Sequence, residues 1–327
     1  MTHTFGQFPT TRLRRLRQHP VLRDLIRQHH VTLDDLVLPL FIKAGHGLRN
    51  AISSMPGHYQ LSVDQLEQEI AELDALGIKA VLLFGIPLHK DPEGACSWHD
   101  DGVIQQAIKK IKSVAPHLLV IADVCFCEFT DHGHCGVIKK SGDDFSLDND
   151  ATLVNLAKQA VSFAKAGADV VAPSGMIDGM VQAIRAGLDN AGYEGVPILS
   201  YSVKYASALY GPFREAAEGA PQFGDRRSYQ MDIADGDYAL REAALDLQEG
   251  ADILMVKPAG FYLDVIYRLK QAYPSVPLCA YQVSGEYAMI KNNDAVMMES
   301  LLAIKRAGAD FIITYFAKDV ARVLNEN

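Results

Sequence analysis

The sequence predicts an α/β fold, a (β/α)8 TIM barrel carrying an extended N-terminal arm. Three observations predict it. Eight short apolar runs rich in Val, Ile and Leu recur along the 327 residues. They are mostly continuous rather than alternating, as strands buried on both faces of a parallel sheet are. Helix-like stretches separate them, for example VDQLEQEIAELDAL (63–76) and TLVNLAKQAVSFAKA (152–166), and strands alternating with helices indicate a barrel. The third is a repeated phrase: AGAD at 166–169 and 307–310, EGAD at 249–252, and the related GIKA at 77–80. A Gly just past a helix supplies a left-handed C-cap, after which the chain turns into a strand.

In order, the expected strands are LVLPLFI (36–42), AVLLFGI (80–86), LLVIADV (118–124), DVVAPS (169–174), PILSYSV (197–203), ILMVKP (253–258), PLCAYQV (277–283) and FIITYF (311–316). Residues 1–30 are expected to form the arm and 31–327 the barrel. The arm holds the one basic run, RLRRLRQHPVLR (12–23), which reads as a solvated or subunit-contacting segment. A doubly wound open sheet is the alternative architecture. No G-x-G-x-x-G follows the first strand, which weakens a dinucleotide-binding version.

Net charge is 31 minus 40, or −9, which argues against a nucleic-acid partner. No apolar run is long enough for a bilayer, and MTHTFGQFPTTRLRRLRQ lacks the apolar core of a secretion signal. A cytoplasmic protein is expected, with reduced thiols. Three of the five cysteines fall in DVCFCEFTDHGHCG (123–136). Adjacent C-x-C thiols make a strained disulfide. Cys125, Cys127 and Cys135 suit Zn²⁺. Three protein ligands would leave an open catalytic position, whereas His134 or His132 as a fourth would close it. Three ordinary buried cysteines are the bland alternative.

Barrel enzymes place their sites at the C-terminal ends of the strands. That mouth is expected to hold the cysteine loop, Lys204 of SYSVKYAS, Lys257 of LMVKPAG, the stretch VSGEYAMIK and Tyr315 of ITYFAKD. An ammonium at the end of an apolar strand loses hydration, so its pKa falls. A neutral lysine in an apolar pocket forms Schiff bases with carbonyl substrates. Snorkelling to solvent is the bland reading of each lysine alone. Tyr210–Asp232, rich in Gly, Pro and charge, reads as a lid. Its Arg214, Arg226 and Arg227 suit carboxylates, or are surface arginines with acidic neighbours.

Together DVCFCEFTDHGHCG, NDATL (149–153), SYSVKYASALYGPFREAA (200–217), GDRRSYQM (224–231), LMVKPAG (254–260) and YQVSGEYAMI (281–290) resemble the 5-aminolevulinate dehydratase, or porphobilinogen synthase, family. The resemblance runs from RLRRLR through ITYFAKD. It implies a barrel whose arm wraps a neighbouring subunit, usually in a homo-octamer. It also implies condensation of two 5-aminolevulinates, with loss of two waters, to porphobilinogen for haem and other tetrapyrroles. By resemblance Lys257 forms the Schiff base and Lys204 is its partner. Ser284 and Tyr315 bind the first substrate's carboxylate; Arg214 and Arg226 bind the second's, with Gln230 in the same motif. Tyr210 and Tyr281 are also expected to bind substrate. Cys125, Cys127 and Cys135 place the chain with the zinc type, Asp123 is a candidate for proton transfer, and Glu242 matches the position of an allosteric Mg²⁺ ligand.

Two departures stand out. Ser228 occupies a position where some members have a cysteine for a second zinc, so that site is not expected. AMIKNNDAVMMES is shorter than the family's usual segment by roughly two helical turns. Another Schiff-base barrel, such as a class I aldolase, would leave the cysteine loop unexplained. An inactive zinc-binding paralogue would keep the barrel and lose turnover.

Overall fold

The computed structural model describes residues 6–141 and 144–326. The first five residues of the expected arm and residue 327 of the expected barrel lie outside the described residues. The eight apolar runs all become strands: β1 Leu36–Lys43, β2 Ala80–Ile86, β3 Leu119–Val124, β4 Val170–Pro173, β5 Leu199–Lys204, β6 Ile253–Lys257, β7 Leu278–Gln282 and β8 Phe311–Thr314. Each ends within two residues of its expected bounds.

The strands pair in parallel in the order β4-β3-β2-β1-β8-β7-β6-β5. Between β4 and β5 the sheet closes through one bridge, Val171 to Ile198. The open-sheet alternative is therefore set aside. Closure also explains the continuous apolar runs. The inner face of each strand meets the other strands across the barrel, and the outer face meets helices.

The helices of the repeat are α1 Leu66–Leu76, α2 Val103–Val114, α3 Asn149–Ala166, α4 Met180–Asn190, α5 Tyr238–Glu249, α6 Leu263–Ala272, α7 Asp294–Ala307 and α8 Ala317–Asn325. Their apolar stripes face the barrel. In α2 the buried Ile104, Ala107, Ile108 and Ile111 follow the helical period, while Lys109 and Lys112 do not join them.

The repeated phrase does two jobs. Gly77, Gly167, Gly250 and Gly308 follow α1, α3, α5 and α7 with φ of 78°, 105°, 107° and 122°, values that favour Gly. The Asp two residues later clamps the neighbouring strand. Asp169 Oδ2 accepts from Val120 N at 2.7 Å, Asp252 Oδ2 from Ile198 N at 2.8 Å, and Asp310 Oδ2 from Leu278 N at 2.7 Å. Each aspartate satisfies a backbone donor at the start of the strand before its own, so the phrase ties adjacent strands as well as ending helices.

Outside the repeat, Leu13–Arg17 and Pro20–Leu25 form two short helical segments that bury no residue. This agrees with a solvated or subunit-contacting basic run. Residues Arg49–Ala51 and Tyr59–Leu61 pair antiparallel beside β1. The cysteine loop continues into a hairpin of Ile138–Ser141 and Asp144–Leu147. The shortened segment becomes a tight joint. A helix at Ser284–Ile290 is followed by Asn292 at φ 71°, and the Asn293 side chain caps α7 by accepting from Val296 N at 3.1 Å. Asparagine tolerates the left-handed region, so the joint has residues suited to it and the Ser284 helix is complete.

Candidate active site

Strands β5 and β6 set the two lysines side by side, since Lys204 and Lys257 are register partners. Both point into the barrel mouth and both are 5% exposed. Lys257 Nζ lies 4.1 Å from the ring centroid of Tyr281, 5.0 Å from Tyr201, 5.2 Å from Phe213 and 5.5 Å from Tyr210. Burial lowers its pKa from the usual lysine value to about 7, and the neighbouring Lys204 charge pushes the same way. Lys204 Nζ is anchored, donating to Ser174 O at 2.5 Å. The lysines therefore differ in environment: one is held by a carbonyl, the other is enclosed by rings. The peptide bond from Lys257 to Pro258 is cis.

Asp123 ends β3 and is buried between the lysines and the cysteine loop. Its Oδ2 accepts from Ser174 Oγ at 3.0 Å, and its Oδ1 has no partner in the chain. Burial raises its pKa to about 7, with the Glu128 charge adding to the effect. An aspartate near neutrality can both take and give a proton.

Directly after β3 the loop turns Cys125, Cys127 and Cys135 inwards. Their Sγ atoms all lie within 4.8 Å of one another, and Cys125 and Cys127 are 3.4 Å apart. Hydrogen bonds from Cys125 and Cys127 pull the Cys135 thiol towards thiolate, while Cys127 is pushed up by its bonds to Cys125 and Cys135. Three converging buried thiols that favour a thiolate form a donor set that fits a soft divalent metal. Neither histidine joins them. His132 uses Nε2 on Pro92 O and Nδ1 on His134 N, and His134 bonds Phe223 O and Tyr229 OH. His134 fastens the lid and His132 braces the loop instead, so among the described residues the cluster is three thiols with no fourth protein nitrogen.

The segment Tyr210–Asp232 does cover the mouth. Arg226 is 6% exposed and donates through Nη2 to Gly133 O at 2.8 Å and Gly219 O at 2.6 Å. Burial alone would lower its pKa, but the thiols of Cys135 and Cys127 more than offset this and hold the guanidinium charged. Arg214 is pushed down by burial and by Arg226. The Nε atoms of both arginines and the Nε2 of Gln230 are buried donors without partners. Such unmet donors above a cavity are what an anionic ligand would satisfy. Arg227 is different: it is exposed and paired with Asp225, the surface reading.

Across the mouth, Tyr281 and Tyr315 share a hydrogen bond between their hydroxyls at 3.1 Å, and Ser284 Oγ accepts from Phe213 N at 2.9 Å. Tyr210 OH donates to Tyr205 O at 2.7 Å and so braces the lid on β5. Lys204, Lys257, Arg214, Arg226, Tyr210, Phe213, Ser174, Cys127, Glu128 and Phe84 line one narrow pocket at the mouth. Glu242 lies elsewhere. It sits on α5 and lines a crevice with Asp178 and Asp235, where burial and Asp246 raise its pKa. Among the described residues no cluster of three metal-ligating groups includes it. Ser174, Tyr201, Phe213 and Glu128 are the site residues that the sequence reading does not single out.

Paired lysines, one among aromatic rings, thus stand beside a three-thiol cluster at the C-terminal mouth of a parallel barrel. Comparison supplies the assignment. The family described as "Delta-aminolevulinic acid dehydratase" matches residues 10–323. The chain is 54% identical over 323 residues to the delta-aminolevulinic acid dehydratase of Halalkalibacterium halodurans, covering 96% of this chain and 97% of that one. It is 52% identical over 327 residues to that of Synechocystis sp., covering 98% and 100%. The solved structure of the Toxoplasma gondii enzyme in complex with the product porphobilinogen superposes with a TM-score of 0.93 at 40% identity, covering 97% of this chain and 92% of that one. The chain belongs to the delta-aminolevulinic acid dehydratase family.

Proposed function

We propose that Lys257 is the Schiff-base nucleophile of the family's reaction, the condensation of two 5-aminolevulinates into porphobilinogen with loss of two waters, a step of haem synthesis. The observation that carries this is the burial of Lys257 Nζ among rings and beside Lys204, which lowers its pKa to about 7, while Lys204 Nζ is hydrogen-bonded to a carbonyl. The neutral amine adds to the ketone carbon of the first substrate. The carbinolamine then expels its hydroxyl as water once that oxygen gains a proton, and the imine forms. Asp123, buried within the same mouth and near neutrality, is suited to give that proton and to recover one later. The neighbouring Lys204 adds to the effect of burial and favours the neutral amine at Lys257. Family membership leaves no place for the aldolase alternative.

Ser284 and Tyr315 would take the first substrate's carboxylate. Arg214 and Arg226, with Gln230 beside them, would take the second's, their open Nε and Nε2 donors being the supporting feature. Tyr210 and Tyr281 would shape the cage. Zinc held by Cys125, Cys127 and Cys135 would supply a Lewis acid; the donor set fits it, because three buried thiols favour soft tetrahedral metals. Glu242 is proposed as a site for an allosteric Mg²⁺. We further propose a cytoplasmic homo-octamer joined through the arm, whose exposed Phe8, Leu13, Leu16 and Leu25 offer apolar surface to a second copy.

The test is borohydride trapping. Incubation with 5-aminolevulinate and borohydride should place one stable adduct on Lys257, located by peptide mass. An adduct on Lys204 alone would reverse the roles.

A further inference from the structure

Glu128 follows Cys127 directly, is 2% exposed and lines the same pocket as both lysines and both lid arginines. Its Oε1 has no hydrogen-bond partner in the chain. A Glu128 oxygen lies within 4.8 Å of both an Asp123 oxygen and Cys125 Sγ. An acceptor that is buried and unmatched calls for a ligand donor or a cation. Two nearby donors are used elsewhere: Lys204 Nζ on Ser174 O, and Arg226 Nη2, though not its Nε, on two carbonyls.

The substrate offers the complementary group. A 5-aminolevulinate carries a carboxylate, a ketone and an ammonium. The readings above assign partners to the first two and none to the third. An ammonium has three donors and no acceptor, so it needs a carboxylate or carbonyl in a pocket dominated by lysines and arginines. Asp123 already has Ser174 on one oxygen and lies against the lysines. Glu128 lies on the side of Arg226 and the thiols.

We propose that Glu128 is a substrate-binding residue that receives the ammonium group of the second 5-aminolevulinate, the one whose carboxylate meets Arg214 and Arg226. This rests on the assignment of those arginines. It makes Glu128 a specificity determinant, distinguishing the amino acid from its des-amino analogue, 4-oxopentanoate.

The experiment compares full-length wild type with Glu128→Gln, both zinc-loaded. Three quantities are read: the half-saturating 5-aminolevulinate concentration for porphobilinogen formation, the inhibition constant of 4-oxopentanoate, and bound zinc per chain. The variant keeps the side chain's size but replaces one acceptor oxygen with an amide donor, so the first should rise about tenfold. The other two should stay at the wild-type values, because the analogue has no ammonium and the thiols are intact. Parallel weakening of substrate and analogue would overturn the proposal in favour of a general packing role. Loss of zinc would overturn it in favour of a metal ligand, and an unchanged half-saturation would overturn it outright. Wild type that makes no porphobilinogen would instead refute the catalytic reading beneath it.

Discussion

Lys257 and Asp123 show how one barrel mouth shifts two ordinary side chains towards neutrality. Burial moves the lysine down and the aspartate up, each to about 7. For the lysine the sign is simple: the neutral amine is the nucleophile, so Schiff-base formation rises with pH through about 7 and then levels. Stopped-flow trapping should fall about tenfold for each unit below that limb. For the aspartate, the folded state holds a proton that the unfolded state has lost between about pH 4 and 7. Its contribution therefore weakens stability as pH rises through that window. Asp123→Asn should raise the melting temperature at pH 8, leave it unchanged at pH 5, and sharply reduce turnover. A lower melting temperature at both values would show that the carboxylate holds the mouth together. Cys125→Ala should lose metal and turnover together; metal retained at full stoichiometry would place it elsewhere.

The lysines are legible in the sequence because each ends an apolar strand, a local pattern. Ser174, Phe213 and Glu128 are not, because their roles come from contacts between elements distant in the chain. Ser174 touches both Lys204 and Asp123, and nothing within DVVAPS announces this. The loop histidines show the opposite limit. Their sequence neighbourhood suggested a fourth ligand, but Phe223 and Tyr229 of the lid claim His134.

At the scale of elements, the recurring phrase is readable as helix punctuation because the glycine acts locally. The clamp made by its aspartate needs the neighbouring strand and is visible only in the fold. Asp252→Ala should cost about 1–3 kcal/mol, the cost of leaving a buried donor unmet, here Ile198 N. Chemical denaturation would read it, and activity per folded molecule should be unchanged. The lid behaves as a second kind of joint. Arg226 fastens it to the cysteine loop at Gly133, where φ is 72° and an added Cβ would meet Ala220 O at 2.3 Å. Arg226→Ala should thus weaken second-substrate binding and loosen the lid, seen as faster limited proteolysis within Tyr210–Asp232 while Lys257 still forms its adduct. Equal proteolysis in both proteins would separate the arginine from lid closure.

For the molecule as a whole, barrel closure brings the ends of β3, β5, β6 and β7 to one mouth. A cysteine loop, two lysines and a carboxylate site can then meet although their residues span 123 to 315. The arm contributes no buried residue in its Leu13–Arg17 and Pro20–Leu25 segments. Removal of residues 1–30 should leave a folded barrel that, by light scattering, does not form the proposed octamer. The proposed reaction joins the caged lysine to the thiol cluster. Its most direct test is porphobilinogen formation from 5-aminolevulinate by the purified protein, before and after a zinc chelator and after zinc is returned. Product that disappears on chelation and reappears with zinc is the predicted result. Product that persists in metal-free protein, or that never forms under any metal condition, would contradict it.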